Sequence, residues 1–293
     1  MPEFNATSPI DVILAIGGAG RAIPPDASAL LQALAARGVR ARVGAWADPD
    51  MNWNRARLVI RTGPDLPQRG DAFRRWIDRL AVSCAVLANP PPALHWGLDK
   101  RSLADLRARG VEIVPTRFIE GGRRARLLDP ARELGAHDVV IKPTCGLGGF
   151  GVRRFDLTQG ALGANRHLRA LLLAGDVAIQ PFQAGPVRSL VFLGGVYSHA
   201  VIANPFAAAE VHEPADQEIA FSEAVLSLSM TETLHARVDL VPGEMGPRLL
   251  ALKFGGSDLY LQAVRDGAGR LADQILLRLH RLDRQDQARK VCG

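Results

Sequence analysis

Only four lysines, at positions 100, 142, 253 and 290, stand among 32 arginines in this 293-residue chain. Arginine is its default cation, so Lys100, Lys142 and Lys253 mark places where a compact ammonium on a flexible stem matters. Lys142 lies in DVVIKPTCGLGGFGVRRFDL, residues 138–157, which reads as a strand, a turn holding Gly146, Gly148, Gly149 and Gly151, and a second strand. Small residues let backbone N–H groups approach an anion closely, and a lysine on the adjoining strand supplies countercharge. That chemistry suits a polyphosphate, while a glycine-rich hairpin with one exposed lysine is the alternative. Cys145, inside the same turn, reads as a small spacer.

Other patterns carry less chemistry. The turn Gly17-Gly18-Ala19-Gly20 lacks the third glycine of a dinucleotide-binding fingerprint, with Ile23 in its place and two prolines following, and reads as a tight turn. Cys84, Cys145 and Cys292 form no CxxC pair and have no histidine at a ligand-like interval, so neither a zinc site nor a disulfide framework is expected. His199, His212, Glu210 and Glu213 could act as acid or base, although a histidine beside a glutamate in a loop is usually solvated surface. No GxSxG nucleophile elbow occurs.

The elements that must position these residues follow from the hydrophobic pattern. IDVILAI (residues 10–16), VRARVGAW (39–46) and ARLVIRT (56–62) read as strands, with helical spacing over 26–37 and 72–82. Alternation of strand and helix predicts an open, mostly parallel α/β domain over residues 1–92, ended by the proline run NPPPALHW, read as a linker. A helix over 98–109 and a short strand over 111–114 follow. Strands at 177–182, 188–205 and 235–254, the last two as hairpins about Gly194-Gly195 and residues 242–246, with helices at 217–228 and 271–282, predict α+β structure.

With 47% hydrophobic content the chain can bury a large core, and its length favours several lobes. A net charge of +6 is scattered among acidic residues, as in RRWIDRL, so no nucleic-acid partner is expected. No apolar run long enough for a membrane span and no secretion signal is seen, and a cytoplasmic location is expected.

The order of LANPPPALHWGLDK, VPTRF, VVIKPTCGLGGFGV, IQPF, RSLVFLGGVYSHAV and ARVDLV, between residues 87 and 241, resembles the ATP-grasp superfamily, and within it the cycloserine-type cyclo-ligases and RimK-like ligases. The resemblance implies a nucleotide cleft between two α+β lobes, 93–178 and 179–293, behind the α/β domain. It implies Lys100 and Lys142 on the phosphates, the turn of Gly146, Gly148 and Gly149 folded over them, and backbone groups of Gln180, Pro181 and Phe182 meeting adenine. It implies ATP and magnesium as cofactors, a small-molecule substrate, and an acyl phosphate attacked by an amine. Many relatives dimerise, so a homodimer is one assembly it allows.

The chain departs from the family where metal is held. Relatives carry acids in a pattern like MELELIEP, whereas this chain reads LALKFGGS from Leu250 to Ser257, leaving Asp239 as the one usual ligand. A two-magnesium site needs several hard oxygen ligands, so one ion or none is expected. The ribose-binding glutamate is replaced by QAGPV (183–187) and the substrate-side arginine by FAAA (206–209). Two readings remain. One is a ligase in which Lys253 takes over part of the work of a metal, Arg237 faces the phosphates and Asp239 holds one magnesium. The other is a pseudoenzyme that binds a nucleotide, metabolite or partner without phosphoryl transfer.

Overall fold

The apolar run at residues 10–16 becomes the inside of a parallel sheet. The chain begins β1 (Ile10–Ile16), α1 (Pro25–Ala35), β2 (Ala41–Ala45), β3 (Ala56–Arg61), β4 (Gln68–Arg69), α2 (Asp71–Ala81) and β5 (Val86–Leu87). The first sheet runs β2-β1-β3-β5, every pair parallel. Period two sorts β1 cleanly: Ile13 and Ala15 pack with Phe73 and Trp76 of α2, while Val12 and Leu14 pack with Leu30 and Leu34 of α1. Burial on both faces explains why the strand is continuously apolar. The computed structural model describes residues 10–17, 22–61, 68–83, 85–203, 208–229 and 232–292, so the turn at 18–20 and residues 204–207 lie outside it.

The proline run opens a helix instead of an extended linker. Pro91 and Pro92 occupy the first turn of α3 (Pro91–Leu98), where a missing N–H costs nothing and φ is already set. Next come α4 (Ser102–Ala108), shorter than the expected helix, then β6 (Arg117–Ile119), α5 (Leu128–Glu133), β7 (Asp138–Pro143), β8 (Gly146–Leu147), β9 (Arg153–Asp156), α6 (Leu162–Leu172) and β10 (Val177–Pro181). The strand expected at 111–114 is reduced to a bridge between Ile113 and Leu249. The second sheet, β6-β10-β7-β9, is antiparallel and closes its own core, with Val139, Ile141 and Ile179 against Leu168 and Leu172 of α6.

The remainder is β11 (Val187–Leu193), β12 (Val196–Ala203), β13 (Glu210–His212), α7 (Asp216–Ser227), β14 (His235–Gly243), β15 (Gly246–Lys253) and α8 (Gly267–Cys292). Its sheet is β13-β12-β11-β14-β15, antiparallel throughout. Both expected hairpins form, and Gly194 and Gly195 supply the positive φ angles of 61° and 84° that a two-residue turn needs.

The first and third sheets share their cores: one cluster holds Ile13 and Trp76 together with Phe192, Val238 and Leu252, and another joins Leu14 and Leu30 to Val191, Leu271 and Ile275 of α8. Two buried polar side chains fix the joint. Asn89 donates to the carbonyls of His235 and Phe254 and accepts from Leu234 N–H, and Asp26 accepts from the N–H groups of Leu259 and Leu261. Among the described residues no helix is long and apolar enough to cross a membrane.

Candidate functional site

Between the second and third sheets lies a cavity of about 410 Å³, within the roughly 300–1,000 Å³ of small-molecule sites. Its walls come from separate elements. Lys142 stands near the end of β7, opposite Ala178 of β10. Lys100 follows α3, where a bridge between Asp99 and Cys145 holds the chain, and both its backbone N–H and its Nζ reach the Thr144 carbonyl, at 2.9 and 3.3 Å. Lys253 enters from the end of β15. Gly146, Gly148 and Gly149 line the same space, the latter two with φ of 58° and 75°, a region that L side chains rarely adopt.

The glycine turn is anchored from outside its own sheet. Residues Gly146 and Leu147 pair with β4, so the first domain reaches across and grips the turn. Cys145 packs against Gly70, and burial pushes its thiol pKa up, in keeping with a spacer and not a nucleophile. Gln180, Pro181 and Phe182 form the opposite rim. The Gln180 amide donates to Thr116 Oγ1 at 2.8 Å, and Gln180 pairs with Val140 across β10 and β7, on the face from which Val140 and Lys142 line the cavity. The Arg154 guanidinium lies 3.6 Å from the Phe182 ring centre and is itself clamped by both oxygens of Asp138.

These lysines sit in an electrostatically strained group. Burial first, and then the charges of Lys100 and Lys253, pull Lys142 down to about 7. Burial and Lys253 pull Lys100 down to about 8. Lys253 is lowered chiefly by Arg237, then by burial, with Asp239 opposing.

Arg237 and Lys253 are direct cross-strand partners in β14 and β15, which places like charges side by side, and Asp239 lies one strand position pair away opposite Ala251. Asp239 relieves the repulsion. Its Oδ1 accepts from Ser189 Oγ at 2.7 Å and lies 2.9 Å from Arg237 Nε, while Oδ2 accepts from Arg237 Nη2 at 3.1 Å and lies 3.5 Å from Lys253 Nζ. Burial would raise the Asp239 pKa, but Arg237 and Lys253 outweigh it and hold the carboxylate ionised. Arg237 stands behind Asp239 and not at the cavity wall, its Nη1 donating to the Asp258 carbonyl at 2.8 Å. The expected orientation of Arg237 toward phosphates is therefore not the one observed.

This donor set does not fit a divalent ion. Both Asp239 oxygens already face cations, and among the described residues no three His, Cys, Asp or Glu side chains gather to hold a metal. Magnesium takes six oxygen ligands, and an ion at Asp239 would lie against the Lys253 ammonium.

Of the residues singled out in the sequence, Lys100, Lys142, the three glycines, residues 180–182, Asp239 and Lys253 line one cavity, and Arg237 backs it. The histidine alternatives lie elsewhere: His199 is bonded to Ser198 Oγ and the Leu259 carbonyl, and His212 to Glu218. Sequence reasoning missed the apolar wall of Val140, Phe150, Leu250 and Leu252. Leu250 reaches it through a bulge, because Asp239 pairs with Ala251 but Leu240 with Leu249.

Comparison with known proteins agrees with this architecture. The family model for the D-cycloserine synthetase DcsG N-terminal domain matches residues 12–89. The cycloserine biosynthesis protein DcsG of Streptomyces lavendulae is 31% identical over 284 residues, covering 87% of this chain and 94% of that protein. The crystal structure of D-cycloserine synthetase DcsG superposes with a TM-score of 0.79 at 28% identity over 92% of this chain and 99% of that one. A RimK-domain ATP-grasp protein from Sphaerobacter thermophilus shares the fold, with a TM-score of 0.72 at 20% identity over 91% and 99% of the two chains. A relative so similar over nearly its whole length, together with the shared fold, places the chain in the D-cycloserine synthetase family of ATP-grasp ligases.

Proposed function

We propose that the chain is an ATP-dependent ligase that activates the carboxylate of a small metabolite as an acyl phosphate and closes it onto an amine, between two molecules or within one. The observation that carries the reading is the convergence of Lys100, Lys142 and Lys253 with the glycine turn on one cavity whose other wall is apolar. The lysines neutralise a polyphosphate, the backbone N–H groups of the turn approach it, and Val140, Phe150 and Leu252 suit a purine face. Positive charge fixed in a partly dry site stabilises a transferring phosphoryl group without reorganisation. When the acyl phosphate is attacked, the amine proton must leave and inorganic phosphate departs. The departing phosphate can take that proton, while Lys142 stays charged against it.

The DcsG relatives are a cycloserine biosynthesis protein and a D-cycloserine synthetase, which makes a small amino acid with an internal nucleophile the first substrate class to test. Purified protein given ATP and a panel of such acids is expected to release ADP and phosphate only with the matching acid, and Lys142→Met to abolish release. A second reading, a nucleotide-binding protein without turnover, is favoured by the engagement of Asp239 with two cations. ATP binding with no ADP release across the panel would support it.

A further inference from the structure

The cavity contains more fixed positive charge than its own residues neutralise. Three of the four lysines in the chain line it, from three separate elements, and Asp239 is the one carboxylate among the described residues of its wall. That carboxylate is committed to Ser189, Arg237 and Lys253. Arg237 and Lys253 face each other directly across the β14 and β15 pair, an arrangement that is unfavourable unless anionic charge lies against it, and one carboxylate serves both. Two acids at the edge of the group offset it only in part: Asp99 is held by Arg101 at 2.7 Å, and Asp258, which offers Arg237 its carbonyl, shares its charge between Arg237 and Lys253.

A polyphosphate carrying magnesium would bring a divalent ion toward Asp239, which has no free oxygen, and toward the Lys253 ammonium, which repels it. A polyphosphate without magnesium brings up to four negative charges to three ammonium groups that can each donate several hydrogen bonds. We propose that this site binds its nucleotide as the free, magnesium-less polyphosphate, with the Lys253 ammonium occupying the place and supplying the charge of a metal ion. The inference rests on the reading of the cavity as a nucleotide site. Magnesium in solution then acts as a competitor, since it sequesters the nucleotide in a form the site accepts poorly.

The experiment is titration calorimetry of ATP, and of its non-hydrolysable analogue AMPPNP, into the full chain, once in EDTA and once in excess magnesium. The expected result is binding several-fold tighter in EDTA, with Lys253→Met losing most of the EDTA affinity and the preference with it. Equal or tighter binding in magnesium overturns the inference and leaves the nucleotide site standing. Absence of binding under both conditions overturns the nucleotide reading and the inference together. The measurement on the native chain decides the question even if the variant fails to fold.

Discussion

Lys253 Nζ stands 3.5 Å from Asp239 Oδ2, and Arg237 Nε 2.9 Å from the other oxygen of the same carboxylate, so a single buried acid separates two cations that β pairing places directly opposite each other. Neutralising that acid leaves two like charges facing one another in a buried setting. Asp239→Asn is therefore expected to lower unfolding stability by roughly 3 kcal/mol, the scale for breaking a buried pair from one side. In a Lys253→Met background the same change should be smaller by about 1 kcal/mol or more, because one of the repelling partners is gone. Denaturant unfolding of the four proteins measures this coupling, and strict additivity would mean that Lys253 does not interact with the pair.

Asn89 makes the second expectation. Its amide donates to the His235 and Phe254 carbonyls, and its oxygen accepts from Leu234 N–H, so one buried side chain stitches the end of the first sheet to both strands that carry Asp239 and Lys253. Asn89→Ala strands these groups without partners. About 3 kcal/mol should be lost, since each buried unsatisfied group costs roughly 1–3 kcal/mol. Thermal and urea unfolding check it, and a loss within about 0.5 kcal/mol, the range of an ordinary surface change, would show that water replaces the side chain.

The glycine turn separates backbone need from steric need. A Cβ at Gly149, with φ of 75°, would meet nothing within 4 Å, whereas one at Gly151, with φ of 67°, would meet Leu171 and Pro143 at 3.0 and 3.1 Å. Gly149→Ala should cost the left-handed backbone strain alone, about 1 kcal/mol. Gly151→Ala should cost measurably more, because the crowding of α6 and β7 adds to the same strain. Equal losses in unfolding experiments would show that the turn relaxes freely at both positions.

Legibility of the site in the sequence depended on whether contacts were local. The strand that ends in Lys142 and the glycines after it lie within a dozen residues, so their chemistry was readable from spacing, and the hairpin turn at Gly194-Gly195 was readable from its residue types. Lys100 and Lys253 were placed by resemblance, since nothing local says that residues so far apart meet. The bulge at Leu250 was unreadable because strand alternation has no signature for an extra residue between ordinary apolar ones. The proline run was misread as a linker because the same residues that forbid a helix interior are favoured in its first turn. Arg237 was given to the phosphates, but its commitment to Asp239 depends on side-chain geometry that no spacing encodes.

The lowered lysines give the last expectation. In the nucleotide-free chain Lys142 is pulled to about 7 and Lys100 to about 8, from an ordinary value of 10.5. Between those limits the unfolded chain binds more protons than the folded one, so these two groups make stability rise with pH across about 7 to 10.5, the reverse of what a paired lysine would do. A bound polyphosphate favours the charged forms and lifts both values. Binding at pH 8 should then take up about one proton, chiefly at Lys142, and affinity should fall as pH rises further. Calorimetric titrations in buffers of different ionisation enthalpy count that proton directly. No uptake would mean that the lysines are already charged in the empty cavity, and release would mean that the nucleotide does not meet them.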